Sequence, residues 1–146
     1  MVGNVRCRTD GRRIPPTTES SLRILVVDDQ VEYLRLVSSW LGMLRGILAV
    51  ESCASPGRAL EQLDDLKPDV VITDVQMPEM NGLDFTRLLK ARAAPPVVVV
   101  MTGLESAVFR AHALAAGADF FLEKSLLHRQ LPSFLVERFG VGQAPY

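Results

Sequence analysis

The sequence predicts an α/β fold in which a five-stranded parallel sheet is doubly wound, with helices on both of its faces. Five short runs of β-branched and aromatic residues are each followed by a segment with apolar residues at helical spacing, an alternation typical of this class. The third run is apolar at its centre and the fourth is apolar throughout, as expected for strands buried on both faces. The chain has 146 residues, of which 48% are hydrophobic, so its length favours one domain with a substantial core.

The predicted strands begin or end where prolines and turn residues interrupt the apolar runs. Lys67-Pro68 separates the second helix from the third strand, and the segment 93–96, with its two prolines, precedes the fourth strand. The five strands are predicted at about residues 23–28, 47–53, 69–73, 97–101 and 119–122.

The predicted helices are bounded by capping residues. Ser55 followed by Pro56 is an N-cap with proline at the first helical position. Gly117 is typical of a C-terminal helix stop. The first four helices are predicted at about residues 30–45, 55–66, 82–92 and 105–116.

The last helix is the least regular of the predicted elements. Pro132 within residues 126–139 would break a continuous helix, because it lacks a backbone N–H and its ring clashes with the preceding turn. The sequence therefore predicts a short helix with Pro132 near its first turn, ending before Gly140.

The termini differ in composition from the centre of the chain. Residues 1–21 are polar and lack periodicity, which predicts a flexible tail. The folded domain is expected at 22–139, and residues 140–146 are expected to form a short C-terminal tail. Cys7 and Cys53 give no disulfide framework and are interpreted as free thiols in a reducing cytoplasm.

The overall charge argues against two classes of partner. Net charge is −1, which supplies no bulk attraction to nucleic acid or to an anionic membrane. The sequence also has no apolar stretch approaching the ~18 residues of a membrane span. We therefore expect a cytoplasmic protein with no direct nucleic-acid contact and no membrane insertion.

Polar residues follow four of the predicted strands at the point where each run stops. Asp28 and Asp29 follow the first strand, Asp74 the third, Thr102 the fourth, and Lys124 the fifth. The carboxyl ends of parallel strands share one edge of the sheet, and ligands bind at that edge. Three carboxylates, a hydroxyl and an ammonium converging there suggest a divalent cation and a phosphoryl group.

Each of these residues alone has an ordinary structural explanation. Asp28 and Asp29 could belong to a loop and helix cap, Thr102 could be an N-cap, and Lys124 could be a solvated surface charge. Their joint occurrence in order, each at a strand end, favours a functional site.

These motifs together resemble a response-regulator receiver domain, the phosphoacceptor half of two-component signalling. The resemblance covers about residues 22–139, and its motifs are Val-Val-Asp28-Asp29, Asp74-Val-Gln-Met-Pro-Glu-Met-Asn-Gly82, Met-Thr102-Gly and Gly117-Ala-Asp-Phe-Phe-Leu-Glu-Lys124. It implies a flavodoxin-like sheet with strand order 2-1-3-4-5.

The resemblance also implies roles for single residues. Asp74 would be the phosphoacceptor, forming an aspartyl phosphate. Thr102 would hydrogen-bond a phosphoryl oxygen, and Lys124 would pair with the Asp74 carboxylate and then with the phosphate. Thr102 and Phe121 would form the switch that answers phosphorylation.

A magnesium site is implied by the same resemblance. Asp28, Asp29 and Asp74 would hold Mg²⁺ together with the main-chain carbonyl of Gln76, and Asp29 would be a more direct ligand than Asp28. Few carboxylates with remaining waters suit this ion.

The sequence departs from the family pattern at two of its positions. Ser125 stands where the family usually has a proline whose cis peptide helps to aim the lysine. The switch aromatic maps to Phe121, which has no hydroxyl, where the family often has tyrosine.

The function implied is that of a stand-alone response regulator. It would accept a phosphoryl group from a sensor histidine kinase or phosphotransfer protein, and signal to an unknown protein target through a phosphorylation-dependent surface. It would catalyse only its own phosphorylation and dephosphorylation, and the sequence leaves a homodimer open.

Two other classes of function compete with this interpretation. A phosphatase of the haloacid-dehalogenase type would want a second aspartate two residues after Asp74, where Gln76 stands. A phosphorylation-independent interaction module with the same fold would not need the full acidic cluster.

Overall fold

A computed structural model describes residues 21–103 and 107–143, and within them the predicted α/β fold is confirmed. Five strands form one sheet in the order β2-β1-β3-β4-β5, and all neighbouring pairs are parallel. The strands are β1 (Leu22–Val27), β2 (Ile47–Cys53), β3 (Val70–Asp74), β4 (Val97–Thr102) and β5 (Phe120–Glu123). The expected flexible tail lies outside the described residues, apart from Ser21.

Five α-helices connect or follow the strands. They are α1 (Val31–Leu41), α2 (Pro56–Leu66), α3 (Gly82–Lys90), α4 (Ala107–Ala115) and α5 (Leu127–Phe139), with a 3₁₀ turn at Lys124–Leu126 before the last. No helix within the described ranges is both long and apolar enough to cross a membrane.

The sheet separates two cores, because successive residues of a strand face opposite sides. On one side, Ile24 and Val26 of β1 pack with the buried leucines of α1 and α5. On the other, Leu25 and Val27 pack with residues of α2, α3 and α4. This two-sided burial explains why β3 and β4 are buried along their whole length.

Two helix ends carry the capping residues that the sequence predicts, and a third carries a cap that was not predicted. Ser55 caps α2, its hydroxyl accepting a hydrogen bond from the Arg58 N–H at 3.2 Å. Asn81 caps α3 by accepting from the N–H groups of Leu83 and Asp84. Gly117 follows α4 with φ of +104°, a left-handed conformation that favours glycine.

The predicted break at Pro132 is wrong. Pro132 lies inside α5, which is continuous from Leu127 to Phe139. A proline in a helix interior costs about 3 kcal/mol. Burial of a leucine side chain stabilises by about 1.5–3 kcal/mol, and α5 buries Leu127, Leu131 and Leu135 on one face, so packing outweighs the local penalty.

Residues 140–143 pack against the loop after α1, at the amino-terminal edge of the sheet. Gly142 donates a backbone hydrogen bond to the Arg45 carbonyl at 2.8 Å, and the Arg45 N–H donates to the Gln143 carbonyl at 2.9 Å. Val141 is buried beneath this pair of bonds, against Gly46. The first part of the predicted C-terminal tail is therefore held to the domain.

Candidate phosphoacceptor and metal site

The predicted site residues meet at the carboxyl edge of the sheet. Asp28 directly follows β1, Asp74 ends β3, Thr102 ends β4 and Lys124 directly follows β5. Asp74 pairs in register with Met101, so Thr102 lies one residue beyond that partner on the neighbouring strand. The ends of the strands thus bring these side chains to one edge of the sheet.

Three carboxylates form a compact acidic cluster at this edge. One oxygen from each of Asp28, Asp29 and Asp74 lies within 4.8 Å of the other two. Asp28 and Asp74 are buried, and Asp29 is the most exposed of the three. Such crowding of like charges is unfavourable unless a cation or proton compensates it.

The backbone fixes one oxygen of each buried carboxylate. The Gln30 N–H donates to Asp28 Oδ1 at 2.9 Å, and the Val75 N–H donates to Asp74 Oδ1 at 2.9 Å. The other oxygen of each carboxylate, Oδ2, is the one nearest the ammonium of Lys124. The two carboxylates are therefore oriented by their own loops.

Lys124 reaches the acidic cluster although Ser125 follows it. Its ammonium nitrogen lies 2.7 Å from Asp28 Oδ2 and 3.5 Å from Asp74 Oδ2, so the shorter ion pair is with Asp28. All peptide bonds in the described residues are trans. In this arrangement Lys124 shares its charge between two carboxylates, with Asp28 the nearer.

The Asp28 oxygen beside Lys124 has a charge partner but no hydrogen-bond donor. The 2.7 Å approach lacks the direction of a hydrogen bond, and Asp28 Oδ2 has no other donor among residues 21–103 and 107–143. The negative charge of this oxygen is compensated by the Lys124 ammonium.

Burial dominates the electrostatics of Asp74. Loss of solvation on burial raises the pKa of Asp74 above its ordinary value, and the Asp28 carboxylate raises this pKa further. The Lys124 ammonium and the Val75 N–H lower the pKa of Asp74, but the net shift is upward. Burial likewise raises the pKa of Tyr33, with smaller contributions from Asp28 and Asp74, so the phenol stays neutral at ordinary pH.

The acidic cluster fits a magnesium ion. Three carboxylate oxygens within 4.8 Å of one another, one of them exposed to solvent, form a hard oxygen donor set. Mg²⁺ prefers such oxygens, keeps several waters and needs few carboxylates. The donor-free Oδ2 of buried Asp28 is consistent with this ligand.

The loop after Asp74 depends on a glycine at its end. A Cβ on Gly82 would lie 1.9 Å from the Asp74 carbonyl oxygen, and the Gly82 N–H donates to the Val75 carbonyl at 2.7 Å. Gly82 therefore lets the start of α3 pack directly on the backbone of Asp74. Gln76, whose carbonyl is the fourth predicted metal ligand, is exposed in this loop.

The two predicted switch residues are both buried. Thr102 is 3% exposed and Phe121 is 2% exposed. Phe121 packs in the core formed with α2, α3 and α4, and the Arg110 guanidinium carbon lies 5.0 Å from its ring centroid. The ring is thus buried, and a residue of α4 covers it.

Two residues that contact Lys124 are absent from the predicted site. The Lys124 ammonium donates to Gln30 Oε1 at 3.0 Å and lies 4.5 Å from the centroid of the Tyr33 ring. Both belong to the start of α1, so only their closeness to Asp28 and Asp29 in the sequence could have signalled them.

The sequence also matches a model of a known protein family. The match covers residues 24–135, and the family is described as the response regulator receiver domain. This chain belongs to that family. The receiver fold, the role of such domains in two-component signalling, and an acidic pocket consistent with a phosphoacceptor site are thereby shown.

Similar proteins agree with the assignment as a receiver domain. The chain is 36% identical over 109 residues to a protein-glutamate methylesterase/protein-glutamine glutaminase of Xanthomonas oryzae, covering 74% of this chain and 30% of that protein. It thus spans about a third of the length of the curated relatives it matches.

Solved structures of receiver domains share the fold. The response regulator domain of Thermotoga maritima CheB is 30% identical with a TM-score of 0.67, and the match covers 82% of this chain and 94% of that one. A CheY-like receiver domain protein from Methanospirillum hungatei is 27% identical with a TM-score of 0.72, covering 83% and 95%.

Proposed function

We propose that this receiver accepts a phosphoryl group on Asp74 from a sensor histidine kinase or phosphotransfer protein, and that phosphorylation changes a protein-binding surface. The observation that carries the proposal is the meeting of Asp74 with two further carboxylates and the Lys124 ammonium at one edge of the sheet. A cytoplasmic location and a protein target are part of the same proposal.

The chemistry proposed for Asp74 is a displacement at phosphorus. A carboxylate oxygen of Asp74 bonds to phosphorus as the P–N bond of a phosphohistidine breaks, and the electron pair of that bond returns to the imidazole. Water later attacks the same phosphorus, the P–O bond to Asp74 breaks, and the carboxylate is restored. The receiver thus turns over its own phosphoryl group and no external substrate.

Charge neutralisation favours this transfer. Lys124, whose ammonium lies 3.5 Å from Asp74 Oδ2, would pair with a phosphoryl oxygen, and Thr102, at the end of the adjacent strand, would donate a hydrogen bond to another. Asp28, Asp29, Asp74 and the carbonyl of Gln76 are the residues that would hold Mg²⁺. A bound Mg²⁺ supplies positive charge against the phosphoryl oxygens.

Phe121 and Thr102 are proposed to relay the change. A hydrogen bond from Thr102 to the phosphoryl group draws the end of β4 toward Asp74, and the space behind it becomes open to Phe121. Because Arg110 of α4 covers the Phe121 ring, movement of this ring alters the surface of α4 and β5. That surface is the proposed contact for a protein target or for a second copy of the chain.

Phosphoryl labelling tests the proposed acceptor. With radiolabelled acetyl phosphate and Mg²⁺, wild type and the control variant Asp64→Asn should be labelled, because Asp64 is an exposed residue of α2 paired with Arg92 away from the site. Asp74→Asn should keep the fold and lose the label. Equal labelling of Asp74→Asn would place the acceptor elsewhere, and an unlabelled wild type would favour a phosphorylation-independent interaction module.

A further inference from the structure

Lys124 is held by more than the two carboxylates it neutralises. Its side chain is only 13% exposed, and its ammonium is surrounded by Asp28, Asp74, Gln30 and Tyr33. Long lysine side chains ordinarily extend to water and lose much rotamer freedom when they are fixed. The contacts from the first turn of α1 therefore need an explanation beyond charge pairing.

Gln30 joins the lysine to Asp28 in a closed ring of polar contacts. Its backbone N–H donates to Asp28 Oδ1 at 2.9 Å, while its side-chain Oε1 accepts from the Lys124 ammonium at 3.0 Å. The ammonium in turn lies 2.7 Å from Asp28 Oδ2. Gln30 is the N-cap residue of α1, but its side chain does not cap the helix, since it is directed to Lys124.

Tyr33 offers the ammonium the face of its ring. The Lys124 nitrogen lies 4.5 Å from the ring centroid, within the range of a cation–π interaction. The Tyr33 hydroxyl is buried, and among the described residues it has no hydrogen-bond partner. The polar end of Tyr33 therefore does not hold the ring, which packs against the core on the α1 side of the sheet and contacts Lys124 with its face.

We propose that Gln30 and Tyr33 are positioning residues that hold the Lys124 ammonium against Asp28. We call Asp28, Gln30 and Tyr33 the lysine seat. The lysine seat does not require phosphorylation in order to exist; its use in phosphoryl transfer rests on the function proposed for Asp74.

The lysine seat has a consequence for cation binding. Asp28 Oδ2, the donor-free oxygen of the acidic cluster, is also the atom nearest to Lys124. A divalent cation at the cluster must therefore share Asp28 with the ammonium. The more firmly Gln30 and Tyr33 hold Lys124 on Asp28, the weaker the binding of Mg²⁺ becomes.

A double-mutant cycle on the full chain tests the lysine seat. Mg²⁺ affinity is measured by calorimetry for Tyr33→Leu, Gln30→Leu and Tyr33→Phe, each in the wild-type and in the Lys124→Gln background. Tyr33→Leu and Gln30→Leu should each tighten Mg²⁺ binding by about three- to tenfold when Lys124 is present. With Lys124→Gln the same substitutions should change the affinity by less than about twofold.

NMR supplies a readout that a purely structural role would not move. The Hε protons of Lys124 should be shifted upfield by the Tyr33 ring current in wild type and in Tyr33→Phe, which keeps the ring. The shift should disappear in Tyr33→Leu. Tyr33→Phe should also keep the wild-type Mg²⁺ affinity, because only the unpaired hydroxyl is removed.

Three outcomes would overturn the proposal. They are an unshifted Lys124 in wild type, an Mg²⁺ affinity unchanged by Tyr33→Leu and Gln30→Leu, and equal changes in both backgrounds. Labelling with acetyl phosphate separates this proposal from the function proposed above. If the effects of Tyr33→Leu and Gln30→Leu depend on Lys124 but Asp74 is not labelled, the lysine seat is supported and phosphotransfer is rejected. If Asp74 is labelled but the effects do not depend on Lys124, phosphotransfer is supported and the lysine seat is rejected.

Discussion

Each edge of the sheet carries a lysine that is paired with aspartate, but the charges at the two edges are balanced differently. At the amino-terminal edge, Lys90 donates to Asp119 Oδ2 at 2.9 Å and to the Pro96 carbonyl at 3.0 Å. The same Asp119 oxygen accepts the Val98 N–H at 2.9 Å. Arg138 Nη1 also lies 3.7 Å from Asp119 Oδ1, so one carboxylate there meets two cations and a backbone donor.

The carboxyl edge has an excess of negative charge. Lys124 is shared by Asp28 and Asp74, Asp29 adds a third carboxylate, and one buried oxygen lacks a donor within the described part of the chain. The balanced charges of the first arrangement favour the folded state, whereas the crowded carboxylates of the second oppose it unless a cation or a proton compensates them.

The largest expected effect comes from breaking the amino-terminal pair. Asp119→Ala leaves the Lys90 ammonium and the Val98 N–H without their shared acceptor, so we expect it to lower the free energy of unfolding by about 2–3 kcal/mol. Urea denaturation measures this change in the free energy of unfolding. The control Asp64→Ala removes an exposed ion pair with Arg92 and should lower the free energy of unfolding by less than about 1 kcal/mol. Equal losses of stability in the two variants would contradict a stabilising role for the Lys90–Asp119 pair.

A smaller effect is expected from steric change at the carboxyl edge. Gly82→Ala places a Cβ against the Asp74 carbonyl, so the loop must shift at a cost of about 1–3 kcal/mol. Phosphoryl labelling of Asp74 should fall with it, because the backbone of the acceptor moves. In the control Gly42→Ala the new Cβ meets only ordinary contacts at 3.6 Å, and both properties should stay near wild type.

The smallest expected effect is electrostatic and depends on pH. The pKa of Asp74 is raised in the folded state above its ordinary value of 3.8, so the folded state binds this proton more tightly than the unfolded chain does. Stability of the metal-free protein should therefore fall as pH rises from about 3.8 through the higher folded pKa. Asp74→Asn should remove this fall.

The measurement for Asp74 is the free energy of unfolding between acidic and neutral pH, with a chelator present. At neutral pH Asp74→Asn should be more stable than wild type, because the substitution removes a carboxylate charge whose burial is unfavourable. A pH dependence that is identical in wild type and Asp74→Asn would contradict the assignment of unfavourable charge to this edge.

The sequence predicted most of the fold because the signals are local. Caps such as Ser55 and Gly117, and apolar runs such as β3 and β4, carry their structural meaning within a few residues. Pro132 was misleading for the opposite reason. The buried leucines of α5 keep the helix continuous by packing against other elements of the domain, and local helix propensity does not include the free energy of that packing.

The candidate site was predictable to the extent that strand ends define it. Asp28, Asp29 and Asp74 cluster as expected, because parallel strands bring their carboxyl ends together. The contacts of Lys124 with Gln30 and Tyr33 could not be predicted from the positions of the strand ends. They depend on the path of one side chain across the edge of the sheet, from β5 to the first turn of α1.

The sheet separates the helices of the receiver into two layers, one on each face. Neighbouring residues of β5 belong to different layers: Phe121 packs with α2, α3 and α4, whereas Leu122 packs with α1 and α5. Under the function proposed above, a rearrangement that begins at Phe121 would first deform the layer that contains α2, α3 and α4, because the buried strands separate that layer from α1. A partner bound on α1 would then contact a surface that lies across the sheet from the start of the rearrangement.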